Sequence, residues 1–190
     1  MESDILLHRF DYGDFILQTN LQSIIDNPSL SNLLDNIKKG KKSIVSNVKS
    51  WHYGWHVHKE YEQFKHLSEI IEKISIEEIL KKEWSTHKDT VKIQFYESWV
   101  IDYTMLGFTQ EHRHYPNVLA SSYYIEVVGE VPCPLIFTNL IKERKNIEFE
   151  LQPKTGDLFI FPGHLNHKVK AIGYSKKLVR KVFAGNLIMV

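Results

Sequence analysis

Apolar positions keep helical spacing through much of the first half of the chain and strand-like clustering through the second. Phe64, Leu67, Ile70, Ile71 and Ile74 recur every three or four residues with charged residues between them, which predicts an amphipathic helix. A second such run starts at Ser75 and carries Ile76, Ile79, Leu80 and Trp84, with Glu78 placed after Ser75 as in a capping box. Earlier, Leu21, Ile24 and Ile25, then Leu30, Leu33, Leu34 and Ile37, keep helical spacing on either side of Asn27-Pro28-Ser29, and Gly40 is a natural stop. Residues 5–10 and 15–19 are short apolar pieces around Gly13 and are predicted as two strands.

From residue 91 the helical period disappears. Segments 91–104, 118–128, 135–140, 147–151, 157–161, 168–172 and 178–187 are rich in β-branched and aromatic residues and punctuated by Gly, Pro and Asn. Seven strands with short connections and no helices between them imply an antiparallel sandwich or barrel. The expected fold is therefore α+β in one domain of 190 residues. Residues 1–90 form its mostly helical part, packed outside a jelly roll, or double-stranded β-helix, made by residues 91–190.

Composition narrows the function classes. Apolar residues are 43% of the chain, enough for a real core. The net charge is +1 and Lys alternates with Glu, so no basic stripe for nucleic acid is evident. No apolar run is long enough to span a membrane, and the acidic Met1-Glu2-Ser3-Asp4 start lacks a signal core. Cys133, the single cysteine, sits between Pro132 and Pro134 and cannot form an internal disulfide; a reducing, cytoplasmic setting is expected. No helix start or local base accompanies it, which argues against a nucleophile. The pattern leaves the oligomeric state open, a dimer included.

Histidine changes the picture most. Ten are present, with three between 52 and 58, two at 112 and 114 and two at 164 and 167. In an extended segment residues i and i+2 point the same way, so His112 and His114 can reach one metal from one strand end. Gly156 through Phe161-Pro162 to His167 reads as a turn glycine, an apolar strand and a histidine after the turn, able to deliver a third imidazole from a neighbouring strand. Three protein ligands leave positions open, as metal-assisted catalysis requires. His164 follows Gly163 directly and reads as a loop residue. His56 and His58 form a second H-x-H without a matching distal motif. That segment reads as polar-aromatic packing at the barrel mouth, where Trp51 and Trp55 are placed to line a substrate cleft.

Residues 99–190 resemble the Fe(II)- and 2-oxoglutarate-dependent oxygenase superfamily, most of all a group of hydroxylases frequent in bacteria and phages whose first metal motif reads H-x-H-P. The resemblance rests on His112-Arg113-His114-Tyr115-Pro116 with the strand after it, on Gly156 to His167, and on Arg180 followed six residues later by Asn186. Ser46-Asn47 with Trp51 is loosely similar to a further segment of that group. The resemblance implies Fe(II) and 2-oxoglutarate as cofactors, His112 and His167 as metal ligands, and Arg180 as the basic residue that holds the far carboxylate of 2-oxoglutarate. Tyr103 and Tyr124, on barrel strands, are the tyrosines expected to hydrogen-bond the cosubstrate, and Asn186 belongs to the same closing motif. The substrate, a small molecule or a protein, is not named by any motif.

One departure from the pattern matters for the metal. His114 stands where such proteins carry Asp or Glu, so the expected ligand set is His112, His114 and His167 rather than two His and a carboxylate. Glu111 is adjacent, but on an ideal strand it faces away from His112. The rival reading is a cupin-type metal enzyme or binding barrel without 2-oxoglutarate. It shares the Gly156, Pro162 and His167 spacing, but it lacks its own first-motif Glu at Val118 or Leu119 and has no need of Arg180.

Overall fold

The computed structural model describes residues 4–84, 91–103, 106–129, 133–171 and 178–190. Thr104 and Ile172, at the ends of two expected strands, lie outside these. The chain runs β1 (Leu6–Arg9), β2 (Phe15–Asn20), α1 (Asn27–Gly40), β3 (Val48–Lys49), β4 (Trp51–Tyr53), α2 (Val57–Glu60) and α3 (Glu62–Ile74). It continues with β5 (Ile93–Tyr103), β6 (Phe108–His112), β7 (Leu119–Val128), β8 (Leu135–Lys142), β9 (Lys145–Leu151), β10 (Asp157–Pro162), β11 (His167–Val169) and β12 (Val179–Met189). A seven-stranded sheet in the order β1-β2-β10-β7-β12-β5-β4 faces a five-stranded sheet in the order β3-β6-β11-β8-β9, and every strand pair within them is antiparallel. This is the expected double-stranded β-helix. The early strands extend it: β1, β2 and β4 widen the larger sheet and β3 the smaller.

Alternation along the strands separates two cores. On β12, Val182 and Ala184 face the space between the sheets, while Phe183 and Leu187 face the helices. Phe64 of α3 lies flat on Phe183, with ring centroids 5.3 Å apart, and Phe95 packs against the same ring at 5.7 Å. Charged side chains fasten α1 to the same outer face. Buried Lys181 bonds Ser31 Oγ at 2.7 Å, Asp35 at 2.8 Å and Glu126 at 3.2 Å, and Lys38 reaches Asp102 at 2.5 Å. Strand β5 changes parity midway: Glu97 is opposite Asn186 and Phe95 opposite Leu187, so Tyr96 is an extra residue. The bulge turns Ile93 and Phe95 to the helices but Trp99, Ile101 and Tyr103 to the inner core.

Two local expectations fail for identifiable reasons. Leu21, Ile24 and Ile25 form a turn rather than a helix, because α1 starts later, with Asp26 accepting the Ser29 N–H at 3.1 Å and Pro28 in the first turn. Ser75 and Glu78 form no capping box. The chain runs on from α3 without a break, Ser75 donates back to the Ile71 carbonyl at 2.8 Å, and residues Ser75–Glu83 form a π-helical continuation ended by Trp84 N–H on the Ile79 carbonyl. No helix among the described residues is long and apolar enough to cross a membrane.

Phe183 joins the helices to the sheet, so Phe183→Ala should cost about 3–5 kcal/mol of unfolding free energy in urea titration. A loss below about 1 kcal/mol would show that the helices are not held through this contact.

Candidate metal centre

Register brings the histidines together. Strands β6 and β11 pair antiparallel with His112 directly opposite His167, and His114 follows just past the end of β6. The Gly163 carbonyl accepts the His114 N–H at 2.7 Å, tying that segment to the turn before His167. One metal-binding nitrogen from each of His112, His114 and His167 lies within 4.8 Å of the others, the single such group among the described residues. His114 Nε2 and His167 Nε2 are 3.3 Å apart. Two imidazole nitrogens that are each about 2.1 Å from one ion stand roughly 3.0–3.4 Å apart at octahedral or tetrahedral angles, so the spacing of this pair fits.

The second ring nitrogens fit as well. His112 Nδ1–H donates to the Gln110 carbonyl at 2.8 Å and His167 Nδ1–H to the Leu165 carbonyl at 3.1 Å. Each bond fixes the tautomer that leaves the Nε2 lone pair free, the backbone arrangement usual behind metal-bound histidines. Burial lowers all three imidazoles from their ordinary range. His114 falls to about 3, with a further contribution from His112, and His167 falls well below its usual value. Three neutral nitrogen donors therefore converge at neutral pH. Glu111 is exposed and 3.8 Å from Lys168, so it turns away from the cluster, as strand geometry anticipates.

A cavity of about 190 Å³ between the sheets contains the triad and continues to Arg180 on β12. Arg180 is 1% exposed and opposite Tyr103 in the β5–β12 register. The rings of Tyr103 and Tyr124 flank its guanidinium at 4.9 and 5.0 Å. It donates to Tyr124 Oη at 2.9 Å, to Cys133 Sγ at 2.8 Å and to the Cys133 carbonyl, while Nε has no partner among the described residues. Burial pushes Tyr124 up to about 12, partly opposed by Arg180, and raises Tyr103, so both phenols remain neutral. Tyr103 shares a 2.6 Å hydrogen bond with Thr109 Oγ1. No carboxylate among the described residues pairs with Arg180; its partners are two phenols, a thiol and a carbonyl. A buried charge left so is costly, and an anion would relieve it.

Other expected residues separate. Asn186 lines the same cavity as Arg180. His164 stays in its loop and meets Asp14 at 2.7 Å. His58 packs inward on Ser98 Oγ at 2.6 Å, and neither it nor His56 joins a metal-binding group. Trp55, past the end of β4, lines the cavity, but Trp51 does not: it stacks on Tyr53 at 6.0 Å and both pack against the helical core, because His52 between them takes the cavity-facing position and adjacent strand residues face opposite ways. Tyr123 likewise faces the helices, bonding Asn27 at 2.7 Å, and Tyr96 lies exposed. The cavity also takes in His52, Glu97 and Trp99, which sequence reasoning did not single out as chemistry. Trp99 shares the face of Tyr103 by alternation along β5, a relation the sequence reading did not use.

Comparison with solved structures identifies the architecture. A prolyl-4-hydroxylase from Pseudomonas putida superposes with a TM-score of 0.66 at 11% identity, covering 91% of each chain. The fold is that of the 2-oxoglutarate–Fe(II) oxygenases. A viral collagen prolyl hydroxylase from Paramecium bursaria Chlorella virus-1, solved as its 2-oxoglutarate complex, gives 0.62 at 13% identity over 90% of this chain and 94% of its own. HygX from Streptomyces hygroscopicus, solved with nickel and 2-oxoglutarate bound, gives 0.59 at 7% identity over 90% and 82%. No protein-family model matches the sequence, and no curated protein matches it.

Two measurements check the centre. His112→Ala or His167→Ala should abolish stoichiometric Co(II) binding while the protein stays folded; full binding by both variants would refute the assignment. The metal-free protein should also be acid-sensitive. His52, His58 and His114 have folded values near 4, 4 and 3. Unfolded histidine titrates near 6.5, so the unfolded chain binds more protons below that pH. The urea midpoint should therefore fall steadily as pH drops from about 6.5 toward 4; a flat profile would contradict the burial of neutral imidazoles.

Proposed function

We propose that this chain is an Fe(II)- and 2-oxoglutarate-dependent oxygenase that couples oxidative decarboxylation of 2-oxoglutarate to oxidation of a second substrate. The observation that carries the reading is one cavity holding three convergent neutral imidazoles and, further in, a buried guanidinium with no acidic partner among the described residues. His112, His114 and His167 would hold the iron, and Arg180 the far carboxylate of 2-oxoglutarate. Bound iron would supply the redox chemistry that turns the keto acid and oxygen into succinate, carbon dioxide and an oxidised substrate.

The chain's own residues have distinct tasks in this reading. The guanidinium offers a planar fork to a carboxylate and keeps its charge at any working pH. Tyr103 and Tyr124 confine it with their rings, and the neutral phenol of Tyr124 would share the incoming anion. Leu135, Val169 and Val182 line the wall with apolar surface, which keeps the electrostatics of the site strong by excluding water. The three-histidine set brings no negative charge to the metal, unlike two histidines and a carboxylate. His114→Asp should therefore retain metal with a changed affinity. A cupin without 2-oxoglutarate would share the metal cluster but gives no reason to bury Arg180. Cytoplasmic placement and the closer likeness to the H-x-H-P hydroxylases belong to this proposal too.

Calorimetric titration of 2-oxoglutarate into anaerobic, metal-loaded protein tests the reading. Arg180→Ala should weaken binding by roughly 2–5 kcal/mol, in line with truncated buried charge pairs. Arg180→Lys should fall between, since it keeps charge but loses the fork. Equal binding by wild type and Arg180→Ala would remove Arg180 from the role; no binding by wild type would favour the cupin.

A further inference from the structure

Strand β12 links two differently charged ends of the cavity. Arg180 marks one end, and Asn186 lies six residues on, roughly 20 Å along an extended strand. Opposite Asn186 on β5 is Glu97, the one carboxylate among the described residues that line the cavity. Asn186 is 2% exposed, and its amide N–H donates to Glu97 Oε1 at 2.6 Å. Its own oxygen is buried without a partner among the described residues. Apart from Arg180, no Lys or Arg among the described residues lines the cavity. Glu97 thus brings a carboxylate to the cavity wall with no cation beside it among the described residues, and the buried Asn186 oxygen next to it has no donor among them.

Aromatic rings surround this end. Trp99 is two residues beyond Glu97 on the same strand, opposite Ala184, whose small side chain leaves the indole room. Trp55 meets Trp99 edge-on at 5.9 Å, and His52 meets them at 5.6 and 6.0 Å respectively. Trp99 also approaches His114 at 5.7 Å, so the aromatic wall runs from partly exposed Trp55 to the metal centre. Burial holds His52 neutral, near 4, so it would not repel a cation. Its Nε2 is a further buried atom with no partner among the described residues. The Ser46 hydroxyl accepts the Val48 N–H at 3.1 Å and can donate to His52 Nδ1 at 2.7 Å, an arrangement that leaves a proton on Nε2.

We propose that the Glu97–Asn186–Trp99 end of the cavity is a subsite for an ammonium group, and that the substrate oxidised here is a primary amine. The substrate assignment rests on the oxygenase reading; the subsite does not. An ammonium offers three donors, enough for both Glu97 and the free Asn186 oxygen, whereas a hydroxyl offers one. Its charge is balanced by Glu97 and drawn to the indole faces. His52 Nε2–H would then bond an acceptor elsewhere on the same molecule.

The test uses the full chain after metal removal with a chelator, so that an amine cannot bind by ligating the metal. n-Pentylammonium and 1-pentanol, matched in length, are titrated at pH 7.5 and followed by tryptophan fluorescence. Wild type should prefer the ammonium by about tenfold or more, and Glu97→Gln should bring the two within about threefold. Trp55→Ala, at a partly exposed position, should weaken ammonium binding without disturbing the fold and stands in should Glu97→Gln fail to fold. Equal affinity for the two probes, no saturable ammonium binding, or a preference unchanged by the variant that folds would overturn the subsite. 2-Oxoglutarate titration is read separately. Keto-acid binding without ammonium preference leaves the oxygenase and removes the amine. Ammonium preference without keto-acid binding leaves the subsite, removes the oxygenase and with it the assignment of the amine as substrate.

Discussion

The pairing of β6 with β11 governs the rest of the structure, because it sets His112 opposite His167. A shift of one residue would turn one imidazole to the other face of the sheet and leave no pair. The register is held from several sides. Strand β11 also pairs with β8, matching His167 to Phe137, and the Gly163 carbonyl receives His114 N–H. Gly163 is constrained in turn: a side-chain carbon there would come within 2.1 Å of the Asn117 carbonyl oxygen. The turn that delivers the third histidine thus needs glycine for close backbone approach, not for unusual dihedral freedom.

The second constraint is electrical. A cavity between two sheets is a poor solvent for charge, and the structure meets this differently at each position. The imidazoles shed theirs, with values lowered by burial. Arg180 cannot, and is instead wrapped by the faces of Tyr103 and Tyr124 and by the Cys133 carbonyl and sulfur. On the outer face of the same strand, Lys181 solves the same problem with acidic partners, Asp35 and Glu126. Of these adjacent cations on one strand, Lys181 is given counter-ions by the protein and Arg180 has none among the described residues, so the proposed anionic ligand would supply the missing charge.

Much of this was legible in the sequence because the relevant signals are short-range. Strand clustering after residue 91 gave the jelly roll, and i, i+2 spacing placed His112 with His114. The partnership with His167 needed only a strand, a turn and a histidine. What escaped depended on pairing. The extra residue at Tyr96 reverses the parity of β5, so alternation counted from Phe95 puts Glu97 and Trp99 on the wrong face and only counting back from Tyr103 puts them on the right one. His52 reaches the cavity because β4 joins the edge of the larger sheet, where it pairs with Ile101, and its three residues are too few to show a period. Helix spacing misled at Leu21 to Ile25 because the Asp26 cap and Pro28, not apolar period, fix where α1 begins.

The central claim is that His112, His114 and His167 hold iron beside a site for 2-oxoglutarate. Optical titration of the anaerobic Fe(II)-loaded protein tests it most directly. Addition of 2-oxoglutarate should produce the weak visible absorption band of an iron–keto-acid chelate, saturating at one equivalent of keto acid per iron, and succinate should produce none. Stoichiometric iron binding with no band at saturating 2-oxoglutarate would contradict the account.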